Sequence, residues 1–128
     1  ESGFNNKAHS RAKARGLMQL LPSTAKTVRR VSAEDLYDPA TNIELGTKYF
    51  YGLYDKYHSI ESALAAYNAG PGAVDRWLKL YPQANQLLFM DLIPYKETRS
   101  YVGLILRNHY YYTNLQKILD KAKKIEEK

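Results

Sequence analysis

The chain has 128 residues, of which 45% are hydrophobic and 25% are charged, and it contains no cysteine. This composition is typical of one globular domain and excludes a disordered chain, disulfide bonds and thiolate metal sites. The formal net charge of +6 favours contact with polyanions, a class that includes nucleic acid, anionic lipid and bacterial wall polymers.

The first half of the chain predicts two helices. Residues 22–31 begin with a proline that suits the first turn of a helix. A longer helix is predicted over residues 40–57, preceded by Asp38 as its capping residue and by Pro39 in its first turn. The predicted apolar face of this helix comprises Ile43, Phe50, Leu53, Tyr54 and Tyr57.

The middle of the chain predicts two shorter helices. The first covers residues 60–69, with Ser59 as the capping residue. Its predicted buried face comprises Ile60, Ala63, Leu64 and Tyr67. The Gly-Pro-Gly sequence at residues 70–72 ends this helix, and a short helix over residues 73–80 carries the single tryptophan, Trp77.

The last third predicts one long helix after an ambiguous segment. Residues 83–94 contain an apolar run that is compatible with a helical turn or with an extended lid. After Pro94 the helical periodicity returns, and the predicted helix ends near residue 120. The charged tail, residues 121–128, is expected to fray.

These patterns together predict an all-α fold and a single domain. No segment alternates apolar and polar residues as a strand would, and no repeat or linker divides the chain. No apolar run approaches the roughly 20 residues that cross a bilayer, so no integral membrane segment is expected. The basic residues accompany no known nucleic-acid-binding motif, and nucleic acid is not expected as a partner.

No metal or cofactor is implied by the sequence. The three histidines, His9, His58 and His109, do not have the spacing of metal ligands. Walker, dinucleotide-binding and EF-hand patterns are absent as well.

Glu1 is the carboxylate on which a catalytic interpretation depends. It opens the chain and is the only acidic residue among the first 33, since the next ones are Glu34 and Asp35. An arbitrary terminal glutamate is most often solvated. In an apolar pocket, however, a lone carboxylic acid has a raised pKa and can donate a proton near neutral pH.

Three blocks of sequence change that assessment. The first is Glu-Ser-Gly-Phe-Asn at residues 1–5 with Ser10, followed by Gly-Leu-Met-Gln at residues 16–19 and by Pro22, Thr24 and Ala25. The second is Ala-Ala-Tyr-Asn-Ala-Gly-Pro-Gly-Ala-Val at residues 65–74, and the third is Ile-Pro-Tyr-Lys-Glu-Thr-Arg-Ser-Tyr-Val at residues 93–102. With these blocks in this order, residues 1 to about 112 closely resemble the soluble lytic transglycosylase family.

The resemblance implies a lysozyme-like helical fold and an enzyme that acts on peptidoglycan in the bacterial periplasm. Members of the family cleave between N-acetylmuramic acid (MurNAc) and N-acetylglucosamine (GlcNAc) without water and leave a 1,6-anhydromuramyl end. Glu1 would protonate the glycosidic oxygen and then, once ionised, take the proton of the muramyl 6-hydroxyl. The acetamido oxygen of the substrate would replace the second carboxylate that ordinary glycosidases require.

The resemblance also implies substrate-binding residues. Ser10 would hold the N-acetyl group, and Met18, Gln19 and Leu21 would line the cleft, although core packing explains Met18 and Leu21 equally well. Gly16 would allow a turn with positive φ. Further along the chain the implied substrate contacts are Tyr67, Asn68, Glu97 and Tyr101.

For two of these later residues a structural explanation stays open. Tyr67 falls on the predicted buried face of its helix, where packing alone would account for it; in the family this tyrosine lies near the catalytic carboxylate. Glu97 would contact a sugar or the attached peptide, and it would also interact favourably with the dipole of its helix.

One departure from the family pattern concerns the start of the chain. Family members carry a helix immediately before the catalytic glutamate, whereas this sequence begins at Glu1. We therefore expect residues 1–128 to be a single catalytic domain that lacks this helix and forms the C-terminal part of a longer protein. We also expect the domain to be a monomer. Three other functions remain open: a goose-type lysozyme that uses water, an inactive peptidoglycan-binding module, and a basic binder of membrane surfaces or nucleic acid.

Overall fold

A computed structural model describes residues 2–127, with the exception of the side chains of Gln86 and Leu87. The described residues form helices and contain no strand beyond two isolated β-bridges, so the predicted all-α class is confirmed. The α-helices are α1 (Pro22–Val28), α2 (Pro39–Tyr57), α3 (Ile60–Ala69), α4 (Pro71–Leu80), α5 (Gln86–Leu92) and α6 (Lys96–Glu126). No helix in the described part of the chain is long and apolar enough to cross a membrane.

The chain divides into two compact units, Glu1–His58 and Ser59–Lys128. In the first unit, α1 and a short 3-10 helix over Glu34–Tyr37 both pack on α2. Residues 2–21 form a loop with bridges between His9 and Arg15 and between Arg15 and Leu20. The apolar core residues of this unit are Leu20, Ala25, Leu36, Leu45 and Leu53.

The start of α2 follows the prediction. The side chain of Asp38 accepts a hydrogen bond from the Thr41 N–H at 2.9 Å, and Pro39 occupies the first turn, one residue before the predicted start. The end of α1, by contrast, differs from the prediction. This helix ends at Val28, three residues before the predicted end, because Arg29 adopts an extended backbone with φ −155°. The 3-10 helix was not predicted.

The predicted apolar face of α2 is partly wrong. The buried residues of this helix are Asn42, Leu45, Gly46 and Leu53. Of the predicted face only Leu53 is buried, whereas Ile43 and Tyr54 are 48% and 39% exposed. The true face contains an asparagine and a glycine, which a search for apolar side chains passes over, and the elements packed on the helix decide which face is covered.

In the second unit, α3 packs against α4, α5 and α6. Ser59 caps α3 as predicted, since its Oγ accepts a hydrogen bond from the Ser62 N–H at 3.2 Å. Residues 62–66 are all buried, so α3 is covered on every side along this stretch, while the predicted face residue Ile60 is 47% exposed. Pro71 does not separate two helices by a loop but begins α4, two residues earlier than predicted, because its fixed φ and missing N–H suit a first turn.

The two remaining differences lie in the last third of the chain. The ambiguous segment contains a helix, α5, which Asn85 caps by accepting a hydrogen bond from the Leu88 N–H at 2.9 Å. The predicted end of the long helix near residue 120 is wrong, because α6 continues to Glu126 through the tail that was expected to fray. Lysine, glutamate and alanine dominate that tail and are strong helix formers.

Candidate active site

Glu1, the predicted catalytic acid, lies outside the described residues. The loop that follows it is ordered by short-range hydrogen bonds. The Asn5 N–H donates to the Ser2 carbonyl oxygen at 3.0 Å, and the Phe4 N–H donates to the Ser2 Oγ at 3.2 Å. The Phe4 ring is 95% exposed, so it contributes nothing to the core of the first unit.

Ser10 closes a tight turn. Its N–H donates to the Ala14 carbonyl oxygen at 3.0 Å, its carbonyl oxygen accepts from the Lys13 N–H at 2.9 Å, and its Oγ accepts from the Ala14 N–H at 3.0 Å. A hydroxyl that accepts a hydrogen bond still carries a hydrogen that can be donated. The Ser10 hydroxyl can therefore serve the turn and also donate to an acetamido carbonyl.

The Gly-Leu-Met-Gln segment is held against the residues before it. The Gly16 N–H donates to the Ala8 carbonyl oxygen at 2.9 Å, and Gly16 has the positive φ of 76° that the sequence predicts. The Gln19 Nε2 donates to the Gly16 carbonyl oxygen at 2.8 Å and to the Ala8 carbonyl oxygen at 3.3 Å. The Gln19 amide thus ties the segment together, a structural role that was not predicted for it.

Asn42 anchors the same segment and was missed by the sequence analysis. Its side chain is fully buried, and its Nδ2 donates to the carbonyl oxygens of Arg15 at 2.9 Å and of Leu36 at 2.8 Å. Its Oδ1 accepts from the Met18 N–H at 2.7 Å. The sequence did contain a signal for this role. Asn42 lies three residues before Leu45 and so on the same face of α2, and a polar residue on a buried face needs hydrogen-bond partners.

Met18 and Leu21, which the sequence left open between packing and ligand contact, have different surroundings in the structure. The Met18 sulfur lies only 2.5 Å from the position that a Cβ on Gly46 would take, so the absence of a side chain at Gly46 makes room for it. The sulfur also accepts a hydrogen bond from the Thr47 Oγ1 at 3.9 Å. Packing against α2 therefore accounts for much of Met18, which is half-buried. Leu21 precedes α1 and is 38% exposed, so its side chain is accessible to a ligand.

In the second unit, a hydrogen bond joins the second and third sequence blocks. The Thr98 Oγ1, on α6, donates to the Asn68 Oδ1, on α3, at 2.7 Å. Thr98 is 2% exposed, so this bond is shielded from water and sets the orientation of the Asn68 amide. Thr98 was not among the predicted site residues, although it lies between the predicted Glu97 and Tyr101.

The remaining predicted residues of this unit differ in exposure. Tyr67 and Tyr101 are half-buried, which suits both packing and a ligand contact. Glu97 is exposed in the first turn of α6, where its charge is favourable with respect to the helix dipole. Tyr95, in the third block, packs against α4. Its ring meets the buried Trp77 ring edge-on, with 5.1 Å between the centroids.

Three described carboxylates are poor candidates for a general acid. Hydrogen bonds from the Ser32 N–H and from the Thr41 N–H lower the pKa of Asp35 and of Asp38, respectively. A hydrogen bond from Lys48 lowers the pKa of Glu44. A general acid near neutral pH needs the opposite shift. Within residues 2–127, no three histidine, aspartate or glutamate side chains converge as a metal site.

The helical fold and the ordered motif segments are those of an all-α domain, and comparison with known families identifies the family to which it belongs. The family model described as the transglycosylase SLT domain matches residues 1–89, well over half of the chain. The chain therefore belongs to the transglycosylase SLT domain family, as its sequence blocks predicted.

Individual relatives agree with this assignment. The soluble lytic murein transglycosylase of Salmonella typhimurium is 40% identical over 121 residues, which cover 88% of this chain and 19% of the relative. The crystal structure of the 70 kDa soluble lytic transglycosylase of Escherichia coli matches with a TM-score of 0.84 and 37% identity, over 91% of this chain and 20% of that one. The predicted lysozyme-like helical fold is confirmed by this likeness.

A further solved structure is that of an inactive glutamate-to-glutamine mutant of the lytic transglycosylase Slt from Pseudomonas aeruginosa. It matches with a TM-score of 0.70 and 38% identity, over 79% of this chain and 18% of that one. The chain thus spans about a fifth of the length of the relatives that it matches.

Proposed function

We propose that residues 1–128 are the catalytic domain of a lytic transglycosylase. The reaction is the non-hydrolytic cleavage of the MurNAc-β-1,4-GlcNAc bond of peptidoglycan, with a 1,6-anhydromuramyl product. The observation that carries this proposal is the family match, which begins at Glu1 and covers the first two sequence blocks. A soluble lytic murein transglycosylase as relative and two lytic transglycosylases as structural neighbours support the same reaction.

In this proposal Glu1 acts twice. As an acid it protonates the glycosidic oxygen while the acetamido oxygen of the substrate attacks the anomeric carbon. As a base it then removes the proton of the 6-hydroxyl, which closes the anhydro ring and displaces the acetamido oxygen. The low pKa of Asp35, Asp38 and Glu44 leaves those three unsuited to the acid step.

The proposed substrate contacts are seven residues of the three sequence blocks and Leu21, which lies between Gln19 and Pro22 of the first block. Ser10 donates its hydroxyl hydrogen to the acetamido group, and the accessible Leu21 side chain contacts sugar. The other proposed contacts are Met18, Gln19, Tyr67, Asn68, Glu97 and Tyr101. The proposed location is the bacterial periplasm, where glycan strands of peptidoglycan are the partner.

Product analysis distinguishes this reaction from that of a goose-type lysozyme. Purified peptidoglycan is digested and the released muropeptides are weighed, because an anhydro end is one water lighter than a hydrolysed end. We expect anhydro ends throughout. Reducing muramyl ends would instead assign the chain to the hydrolases, and sedimentation with peptidoglycan without turnover would assign it to the binding modules.

Substitution of the acid tests the catalytic residue. Glu1→Gln keeps the shape of the side chain and removes its transferable proton, so we expect turnover to fall at least about a hundredfold with binding retained. Asp55→Asn is the matched control, because Asp55 is an exposed carboxylate on α2, and its turnover should equal that of the unmodified protein. Equal turnover of Glu1→Gln and the control would remove Glu1 from the mechanism.

A further inference from the structure

The later part of α6 carries a row of residues with the seven-residue repeat of a coiled coil. This row, the α6 seam, alternates spacings of three and four residues, so its members occupy positions a and d of successive heptads. The d positions hold Leu104, Tyr111, Ile118 and Ile125. The a positions between them hold Asn108, Leu115 and Ala122. Every residue of the seam is exposed, and the repeat is sustained for the three heptads at which such a pattern becomes indicative of a coiled coil.

The α6 seam lies away from the face with which α6 packs in its own unit. The buried residues of this helix are Thr98 and Val102. Tyr111 comes nine residues after Val102, which is about two and a half helical turns, so the two lie on opposite sides of the helix. A second helix can therefore lie along the seam without displacing the contacts between α6 and α3.

The side of the helix opposite the seam is polar over its last turns. Its residues from 116 onward are Gln116, Lys117, Asp120, Lys123, Lys124 and Glu127. The Gln116 Nε2 donates a hydrogen bond to the Asp120 Oδ1 at 2.9 Å, one turn further along. An amphipathic helix normally covers its apolar stripe. In the described part of the chain this stripe is open to water, with Ile118 and Ile125 exposed by 63% and 74%.

Asn108 favours two helices that run in the same direction. In a parallel pair each a residue meets its own counterpart, so two Asn108 amides lie side by side and can bond to each other. In an antiparallel pair an a residue faces a d residue, which is Ile125 in the register with the longest overlap. The Asn108 amide would then lose water without gaining a partner, which is costly.

The charges beside the seam agree with this direction. In a parallel coiled coil a g residue lies near the e residue five positions later on the other helix. Lys121 is at g and Glu126 is at e, so each helix offers its partner the opposite charge. Neither residue forms an ion pair within residues 2–127. In an antiparallel pair Lys121 would face the uncharged Asn114 instead.

We propose that the α6 seam binds a second copy of this chain in a parallel, two-stranded coiled coil. The seam is short, and its alanine and asparagine bury little apolar surface, so the expected dissociation constant is on the order of 10–100 µM. Below that range the chain is a monomer. None of the residues of the seam is a proposed substrate contact, so the dimer and the proposed function stand or fall separately.

Sedimentation equilibrium over a range of about 5–500 µM tests the association. Ile118→Lys places a charge in the middle of the seam at an exposed position, so it should leave the fold intact and weaken self-association at least about tenfold. Tyr110→Lys is the matched control, because Tyr110 is a 72% exposed residue of the same helix outside the seam. Its self-association should equal that of the unmodified chain.

The direction of the helices is tested by disulfide formation, since the chain contains no cysteine of its own. In a parallel pair the two residues 125 are neighbours, and Ile125→Cys should form a disulfide-linked dimer in a buffer of reduced and oxidised glutathione. In an antiparallel pair they lie about 25 Å apart, at opposite ends of the seam. Lys124→Cys is the control, because its side chain points away from the seam and should link far less.

Asn108→Ile tests the register residue. A polar residue at an a position costs stability and restricts the assembly to two strands. We therefore expect this variant to associate at least about tenfold more tightly and to form species larger than a dimer.

Other outcomes overturn the proposal. A chain that stays monomeric throughout the concentration range, or equal association of Ile118→Lys and Tyr110→Lys, would show that the seam does not bind a second copy. Equal linking of the two cysteine variants would reject the parallel arrangement. Binding to phosphatidylglycerol vesicles that Ile118→Lys weakens, without self-association in solution, would assign the seam to an anionic membrane surface.

Discussion

Gly16 illustrates how a single residue of the motif is constrained. Its φ of 76° favours glycine, and a Cβ added to it would overlap the Leu36 carbonyl oxygen and the Asn42 amide. Both of those groups belong to the hydrogen-bonded cluster that holds the Gly-Leu-Met-Gln segment. The glycine is thus required by the space around it as well as by its backbone conformation.

We expect Gly16→Ala to lower the free energy of unfolding by about 2 kcal/mol or more, because the new methyl group pushes against backbone and a buried amide. Gly52→Ala is the matched control, since Gly52 lies within α2 with open space around it, and it should raise the free energy of unfolding by about 0.5–1 kcal/mol. Urea unfolding measures both. Equal stability of the two variants would show that the cluster around Gly16 is not rigid.

At the scale of single elements, the ends of helices follow local chemistry where a side chain caps the backbone. Asp38 and Ser59 were predicted as caps and both accept the expected N–H. A cap involves residues only three positions apart, so the sequence contains all the required information. The end of α1 has no such local signal, and its predicted position was wrong.

The capping bond of α2 predicts a dependence of stability on pH. Hydrogen bonding from Thr41 lowers the pKa of Asp38 below its ordinary value of 3.8, so the folded state binds this proton more weakly than the unfolded state. The resulting stabilisation is complete above the unfolded pKa and is lost as the pH falls through the folded pKa. Asp35 and Glu44, whose pKa values are also lowered, act in the same direction.

Asp38→Asn isolates this contribution, because asparagine caps a helix without titrating. We expect the unfolding temperature of the unmodified protein, relative to that of the variant, to be constant near neutral pH and to fall below about pH 4. Thermal unfolding followed by circular dichroism between pH 7 and pH 2 measures the difference. A difference that is independent of pH would mean that Asp38 has the same pKa in both states.

At the scale of the whole molecule, α6 changes character along its length. Thr98 and Val102 in its first turns are buried, whereas residues 115–127 are all exposed. The helix therefore continues well beyond the part that packs in its unit. Local helix propensity accounts for its last turns, and buried contacts account for its beginning.

Removal of residues 121–128 should accordingly reduce the helical circular dichroism signal while changing the free energy of unfolding by less than about 0.5 kcal/mol. Val102→Ala is the contrasting change, since Val102 is fully buried, and it should cost about 2 kcal/mol. Both are measured by chemical unfolding. A large loss of stability on truncation would show that the tail makes contacts that its exposure conceals.

The sequence by itself determined the all-α class, the helix over residues 60–69, the caps at Asp38 and Ser59 and the family. These features depend on neighbouring residues or on ordered motifs, which a linear sequence displays directly. Tertiary structure alone decided that Asn42 is buried beneath the Gly-Leu-Met-Gln segment, that Thr98 orients Asn68 and that Ile43 and Tyr54 lie outside the buried face of α2. A buried polar group is stable only when its partners meet it, and those partners are 24 and 30 residues away along the chain.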